Sequence, residues 1–406
     1  MSNWPIKSLG EICREGGGFI RTGPFGSQLH RSDYTEDLQG IPVVMPKDMT
    51  RGRINTASVA RIDEPTADRL KQHLLSANDI VLARRGDVGR TAWVFAEDLP
   101  AFCGTGSMRI HPGESETVRP AFLRFFFHTK LASDYLEGHA VGATMPNLNA
   151  GIVERLPVPV PPLRIQDSLI GVLEAFDDLI ENNRRRVKVL EEMARATYRE
   201  WFVKFRYPGH GEVTLVDSAL GPIPREWQAG TVGDVVELKY GKALKADARR
   251  GGDIAVVSSA GIIGWHDESI VEGPAIVVGR KGNVGSVHWV DGPCWPIDTT
   301  YFVQTDLPLR FVAEQLRRTE FTNSHAAVPG LSREGAYARP FLLPQLDLLD
   351  SFQALVEPLG SEAAALSLQS EKLTELRDAL LPKLVTGQID VSKLDLDALI
   401  LEQVAR

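Results

Sequence analysis

Cysteine is scarce: Cys13, Cys103 and Cys294 are the only three, and no two form a CxxC pair. That argues against a disulfide framework and a thiolate zinc site, and fits a reducing compartment. Nowhere do 18 apolar residues run together, and the opening MSNWPIKSLGEICREGGG has no signal-peptide core, so the expectation is a cytoplasmic chain without a membrane span. Positive charge is not in excess either, since 45 Lys and Arg face 53 Asp and Glu for a net charge of −8. The imbalance is local. Residues 1–164 hold 19 cations and 18 acids, 206–346 hold 14 and 16, and 347–406 hold 5 and 11, so a basic face on either large block is allowed. Also missing are GxxxxGK[ST], HExxH and a paired-acid-plus-lysine nuclease site, and the 9 histidines are scattered. What remains is ordinary globular composition, 43% apolar and 24% charged over 406 residues, enough for two to three domains.

The chain is written twice. Trp4-Pro-Ile-Lys-Ser-Leu-Gly-Glu-Ile12 returns as Trp227-Gln-Ala-Gly-Thr-Val-Gly-Asp-Val235, and Ile80-Val-Leu-Ala-Arg-Arg-Gly-Asp-Val-Gly89 as Ile276-Val-Val-Gly-Arg-Lys-Gly-Asn-Val-Gly285. Met145-Pro-Asn-Leu-Asn149 matches Val328-Pro-Gly-Leu-Ser332, and Leu156-Pro157 matches Arg339-Pro340. The offset falls from 223 to 183, so the second copy has about forty fewer residues between its landmarks.

After each copy the period becomes helical. Leu169, Leu173, Phe176, Ile180, Asn183, Val187, Leu190, Ala194, Thr197 and Trp201 alternate spacings of four and three, a heptad seam. Phe352, Leu355, Leu359, Glu362, Leu366, Gln369, Leu373, Leu376 and Leu380 form a second seam. Neither stripe can be buried alone, so the two helices are expected to pair antiparallel, with Asn183 meeting Glu362 and Gln369 in one polar layer that fixes register. Pro358 and Gly360 predict a kink or restart of the second helix, and Gly387 its end. Arg184-Arg185-Arg186 lies beside the first seam and suits salt bridges between helices or subunits. Trp201, Phe202 and Phe205 are too apolar for a solvated face and are expected to cover a partner surface.

Phe102-Cys103-Gly104-Thr105-Gly106 matches the FxGxG pattern with which adenine methyltransferases bind S-adenosylmethionine. No Asn-Pro-Pro-Tyr loop accompanies it, no helical pattern follows, and the second copy has Cys294-Trp295-Pro296 there; a turn is the better reading.

In order along the chain, Gly23-Pro-Phe-Gly-Ser-Gln28, Leu156-Pro157, Tyr198-Arg-Glu-Trp-Phe-Val-Lys-Phe205 to Tyr207-Pro208-Gly209, Gly221-Pro-Ile-Pro-Arg-Glu-Trp227, Pro340-Phe341 and Leu376-Arg-Asp-Ala-Leu-Leu-Pro-Lys-Leu384 to Gly387 resemble the DNA specificity (S) subunit of type I restriction-modification enzymes. The resemblance covers essentially the whole chain. One departure is that the family's Glu-Gln after Pro-Pro-Leu is Arg164-Ile165-Gln166 here and is absent after Pro344. The resemblance implies an α+β fold of two target recognition domains, 1–164 and 207–346. Two spacer helices, 165–206 and 347–406 with its acidic tail, would pack as an antiparallel coiled coil of pseudo-twofold form. It implies a non-catalytic chain that reads a bipartite, asymmetric sequence in double-stranded DNA. Two methyltransferase (M) subunits and the restriction/translocase (R) subunits would be its partners, and S-adenosylmethionine, ATP and Mg would bind in those partners. The competing reading is a coiled-coil adaptor bridging proteins without a DNA target.

Within that frame, Arg84-Arg85 and Arg280-Lys281 place two cations at the end of an apolar strand, before a Gly-x-x-Gly turn. Both copies share them while their targets should differ, so phosphate is the expected contact. Base reading is expected from segments the copies do not share: Gln28, His30 and Arg31 in the first, and Lys242, Lys245, Arg249 and Arg250 in the second. Asn147 and Asn149 read as turn or cap residues.

Overall fold

The structure, a computed structural model, describes residues 4–50, 52–142, 145–211, 213–321 and 330–389. Val328-Pro329 of the last repeat and the acidic tail from residue 390 lie outside the described residues. The chain forms two compact units, one of residues up to Ile180 with those from Glu371 onward, the other Glu181–Ser370.

The first unit is built on an antiparallel sheet ordered Gly17–Thr22, Ser107–Gly113, Ile80–Ala83, Thr91–Trp93. A second sheet is ordered Phe102–Cys103, Ile41–Val44, Ala60–Ile62, Tyr34–Thr35, its first pair parallel. Alternation in Ile80-Val81-Leu82-Ala83 sends Ile80 and Leu82 into one apolar cluster and Val81 and Ala83 into another. Ser8 opens the helix Leu9–Glu15 with a capping box to Glu11, and Ile6–Ser8 pairs with Pro157–Pro159.

The second unit repeats this plan: Glu237–Tyr240, Thr300–Gln304, Ala275–Gly279, Val287–Val290, then Gly261–His266, Ile254–Ser258, Cys294–Pro296 with the last pair parallel. Thr231 and Asp234 form the matching capping box, and Gln228–Thr231 pairs with Pro340–Leu343. Part of the length difference is the helix Glu64–Arg69 and the short hairpin Met49–Thr50 with Arg53–Ile54, which sit between landmarks of the first copy.

Two long helices, Leu163–Tyr198 and Leu346–Val385, contribute to both units. In the first, Leu169, Leu173, Leu381 and Leu384 join the cluster of Ile80, Leu82, Phe122 and Phe126, each such burial contributing about 1.5–3 kcal/mol. In the second, Asn183 Nδ2 donates to Gln369 Oε1 at 2.9 Å and Arg186 Nη2 to Glu362 Oε1 at 2.7 Å. One number rises as the other falls, the signature of antiparallel pairing. Asn183 thus meets Gln369 as expected, whereas Glu362 pairs with Arg186, and Arg185 pairs with Glu181 on its own helix.

Three expectations are corrected. The second seam is half right: Phe352, Leu366 and Leu373 are buried, but Leu355 is 49% and Leu376 44% exposed, while Val356, Ala363 and Ser370 are buried instead. Each of these lies one residue after the seam position read from spacing, Leu355, Glu362 and Gln369, so the seam alternates four and three in the opposite order. Second, the helix runs unbroken through Pro358 and Gly360. A Cβ on Gly360 would lie 2.1 Å from Arg310 Nη2, so this glycine admits the Arg310 side chain and does not end the helix. Gly387 does follow the helix end, with φ +68° and its N–H donating to Leu384 O. Third, Trp201 and Phe202 are buried within the chain's own second unit. A π-helical turn over Arg199–Val203 carries Phe202 to within 4.8 Å of Phe311 and 5.0 Å of Phe352, and Phe205 packs on Trp227 at 5.4 Å, measured between ring centroids.

Candidate nucleic-acid interface

Each unit carries the same loop cluster at one end of its main sheet. In the first, residues 84–90 turn the chain between Ile80–Ala83 and Thr91–Trp93, with Gly86 and Gly89 at φ +76° and +92°, angles that favour glycine. Arg84 is fixed through its backbone, donating to Gly106 O at 3.0 Å and accepting from Leu148 N at 2.8 Å. Beside it, Gly23 N donates to Ser107 O at 2.9 Å, and a Cβ there would fall 1.9 Å from Gly104 O.

The second unit rebuilds each bond. Gly282 and Gly285 both have φ +77°, Arg280 N donates to Thr299 O at 2.9 Å, Leu331 N to Arg280 O at 2.8 Å, and Gly241 N to Thr300 O at 3.1 Å. A Cβ on Gly241 would meet Ile297 O at 2.2 Å. Asn149 and Ser332 cap equivalent short helices, accepting from Ile152 N and Gly335 N at 3.0 Å, as their turn-like spacing suggests.

Within each cation pair the two members have different surroundings. Arg84 is only 5% exposed; its guanidinium lies 5.5 Å from the Phe25 ring centroid, and burial lowers its pKa. Arg280 is half-buried, donates from Nη1 to Asp298 O at 2.9 Å and lies 5.0 Å from the Tyr240 ring. The following residues, Arg85 and Lys281, are exposed.

The remaining sequence-derived residues fall into two groups. Gln28, His30, Arg31, Lys242 and Lys245 are exposed. Gln28 also shapes its own loop, Oε1 accepting from Phe25 N at 3.0 Å, and Lys242 O accepts from Trp295 Nε1 at 3.0 Å. Arg249 and Arg250 are committed inside their unit. Arg249 Nη1 donates to Ile263 O at 2.7 Å. Arg250 bonds both Asp267 oxygens at 2.8 and 2.9 Å and Glu268 at 2.7 Å, with Asp267 the main cause of its raised pKa and Glu268 the next.

Sequence reasoning passed over Arg333, whose guanidinium stands 4.4 Å from the Tyr240 ring. Its signal was position, directly after the Ser332 that matches Asn149. The Phe102–Gly106 stretch is a strand end and turn, Ser107 N donating to Gly104 O at 3.1 Å. Its first glycine has a packing reason, since a Cβ on Gly104 would meet Met45 Sδ at 2.5 Å. Cys103 is buried and its thiol is pushed up to about 12 by desolvation. Among the described residues no group of three or more His, Cys, Asp or Glu could hold a metal ion, and no helix is long and apolar enough to cross a membrane.

Residues 1–192 match the family model for the type I restriction modification DNA specificity domain. The chain is 24% identical over 433 residues to the type I restriction enzyme MjaIX specificity subunit of Methanocaldococcus jannaschii, covering 97% of this chain and 95% of the relative. It is 18% identical to the HindI specificity subunit of Haemophilus influenzae, covering 96% and 100%. Its fold matches the crystal structure of the type I restriction-modification S subunit from M. genitalium, with a TM-score of 0.56 at 17% identity, covering 94% of this chain and 96% of that one. On these findings residues 1–192 match the type I DNA specificity domain, and the chain along nearly its whole length is similar to type I specificity subunits. Subunits of this class are non-catalytic, and catalysis lies in their partner subunits.

Proposed function

We propose that the chain reads a bipartite, asymmetric sequence in double-stranded DNA, one half with each domain. It would bring two methyltransferase subunits and the restriction/translocase subunits to that sequence in the cytoplasm. The observation that carries this reading is the loop cluster built twice from equivalent backbone bonds, each presenting one exposed cation, Arg85 or Lys281, amid dissimilar neighbours. A shared cation suits the phosphate backbone, which is the same at every sequence. The unshared exposed groups suit base edges: Gln28 adenine, and Arg31, Lys242 and Lys245 guanine, with His30 beside them. Arg84 and Arg280 serve by holding the loops, and Arg249 and Arg250 by holding the edge strand Gly261–His266. S-adenosylmethionine, ATP and Mg belong to the partners.

The test has two arms. Purified chain incubated with S-adenosylmethionine and DNA is expected to transfer no methyl group. Once methyltransferase subunits are added, methylation should be confined to the motif that the assembled complex selects from a random duplex library. Methyl transfer by the chain alone, or a complex that selects no motif, contradicts the proposal.

A further inference from the structure

Two half-exposed aromatic rings stand over equivalent arginines. Phe25 is 55% exposed and Tyr240 49%, yet they are not equivalent in sequence. Gly23 and Gly241 occupy the same place, each bonded to the first residue of the neighbouring strand; Phe25 lies two residues after its glycine, Tyr240 one residue before. The two units thus place a ring over the same guanidinium from opposite sides of the turn.

Neither ring sits on a loose loop. Gln28 and Leu29 donate their N–H groups to Phe25 O at 2.8 and 3.1 Å, and Phe25 N donates to Gln28 Oε1. Tyr240 ends a strand paired with Tyr301 and is flanked by Arg280 and Arg333. The arginine behind Phe25 is nine-tenths buried, and among the described residues its Nε finds no hydrogen-bond partner. Asn147 Oδ1, in the segment bridged to Arg85, and Thr299 Oγ1, beside Arg280, are likewise unpartnered among the described residues. In the first unit a buried guanidinium is an expensive support for a ring, and in the second the half-buried Arg280 stands 5.0 Å from the Tyr240 ring in the equivalent place, so that each ring lies beside its unit's exposed cation.

Phe25 cannot read a base edge, because it has no hydrogen-bonding group. A duplex offers such a ring a thymine methyl in the major groove or a base face where the stack is opened. Enzymes that modify a base within duplex DNA extrude it and so open the stack. We propose that Phe25 and Tyr240 stack on nucleobase faces, one in each half-site, with Arg84 and Arg280 as positioning residues behind them. This rests on the DNA-reading function above.

The experiment is an abasic scan with the full-length chain in its assembled complex, on duplexes carrying the motif methylated in the host genome. Wild type should lose affinity at one position per half-site when the base is removed. Phe25→Ala should bind intact DNA about ten- to a hundred-fold more weakly, with unchanged salt slope, and become indifferent to base removal at that position in one half-site. Tyr240→Ala should do the same in the other half-site, while Tyr240→Phe binds as wild type. Phe25→Leu keeps apolar bulk without a ring and should resemble Phe25→Ala, whereas Phe25→Trp should retain binding. Arg84→Ala should mimic Phe25→Ala, and the double variant should lose no more than either. By contrast, Arg85→Ala should weaken binding at all sequences and flatten the salt slope by about one. If Phe25→Leu binds as wild type, or if the loss follows uracil-for-thymine substitution in place of base removal, stacking is wrong. Wild type that binds no motif at all overturns the DNA-reading function itself.

Discussion

Exchanging residues 207–346 for the equivalent segment of a relative is expected to replace one half of the recognised sequence and leave the other half untouched. The second unit has its own core, with Ile276, Val278 and Tyr301 of the sheet packed with Phe311, Phe341 and Leu316. The first has a separate one around Ile80, Leu82, Met108 and Phe126, so one can be replaced without repacking the other. The boundary condition is aromatic. Tyr198, Trp201, Phe202 and Phe352 come from the helices and close the second core, so the donor segment must supply partners for them at the positions of Trp227 and Phe311. Specific sites are bound about 10³–10⁷ times more tightly than non-specific DNA, and the exchange should forfeit that advantage on the old target and restore it on the hybrid one. Methylation of plasmids carrying each combination of half-sites reads this directly. A target altered at both halves contradicts independent reading.

The second large effect is on stability. Asp79 is 0% exposed. Its Oδ2 accepts from Arg109 Nε at 2.6 Å and Ser76 N at 2.7 Å, and its Oδ1 meets His111 Nδ1 at 2.7 Å. Arg109 also donates to Leu74 O and to Ser76 Oγ, so the carboxylate organises residues 74–79 ahead of the strand that leads into the Arg84 turn. Removing it leaves a buried guanidinium without its counter-charge, and Asp79→Ala should destabilise the first unit by about 3–5 kcal/mol. Denaturant unfolding followed by a probe in each unit checks this: the first transition should move and the second should not. A shift below about 1 kcal/mol would mean that the pair is not what holds this segment.

Much of the fold was legible because it depends on spacing. The first seam, the Asn183 layer, the Gly-x-x-Gly turns and the caps at Asn149 and Ser332 each follow from a local rule that nothing nearby opposes. The second seam was shifted at alternate positions, where Val356, Ala363 and Ser370 are buried in place of the preceding Leu355, Glu362 and Gln369, because a repeat of three and four allows either phase at those positions. Gly360 misled because its smallness serves Arg310 on another element. The candidate site was legible as a repeated pair of cations. Their division into a buried and an exposed member was not, since Arg84 and Arg85 are the same residue type and the groups against which Arg84 is set, Phe25, Gly106 and Leu148, come from segments distant in sequence. Arg249 and Arg250 show the converse, where partners 14 to 18 residues away absorb the charge.

The central claim is that two unlike domains on one chain read two halves of one DNA sequence. Methylation sequencing of the host genome, with and without this gene, tests it most directly. The expected result is a single motif made of two short, unlike half-sites separated by an unread spacer, carrying methylated adenine and lost when the gene is deleted. A palindromic or uninterrupted motif, or a motif that survives deletion of the gene, would contradict it.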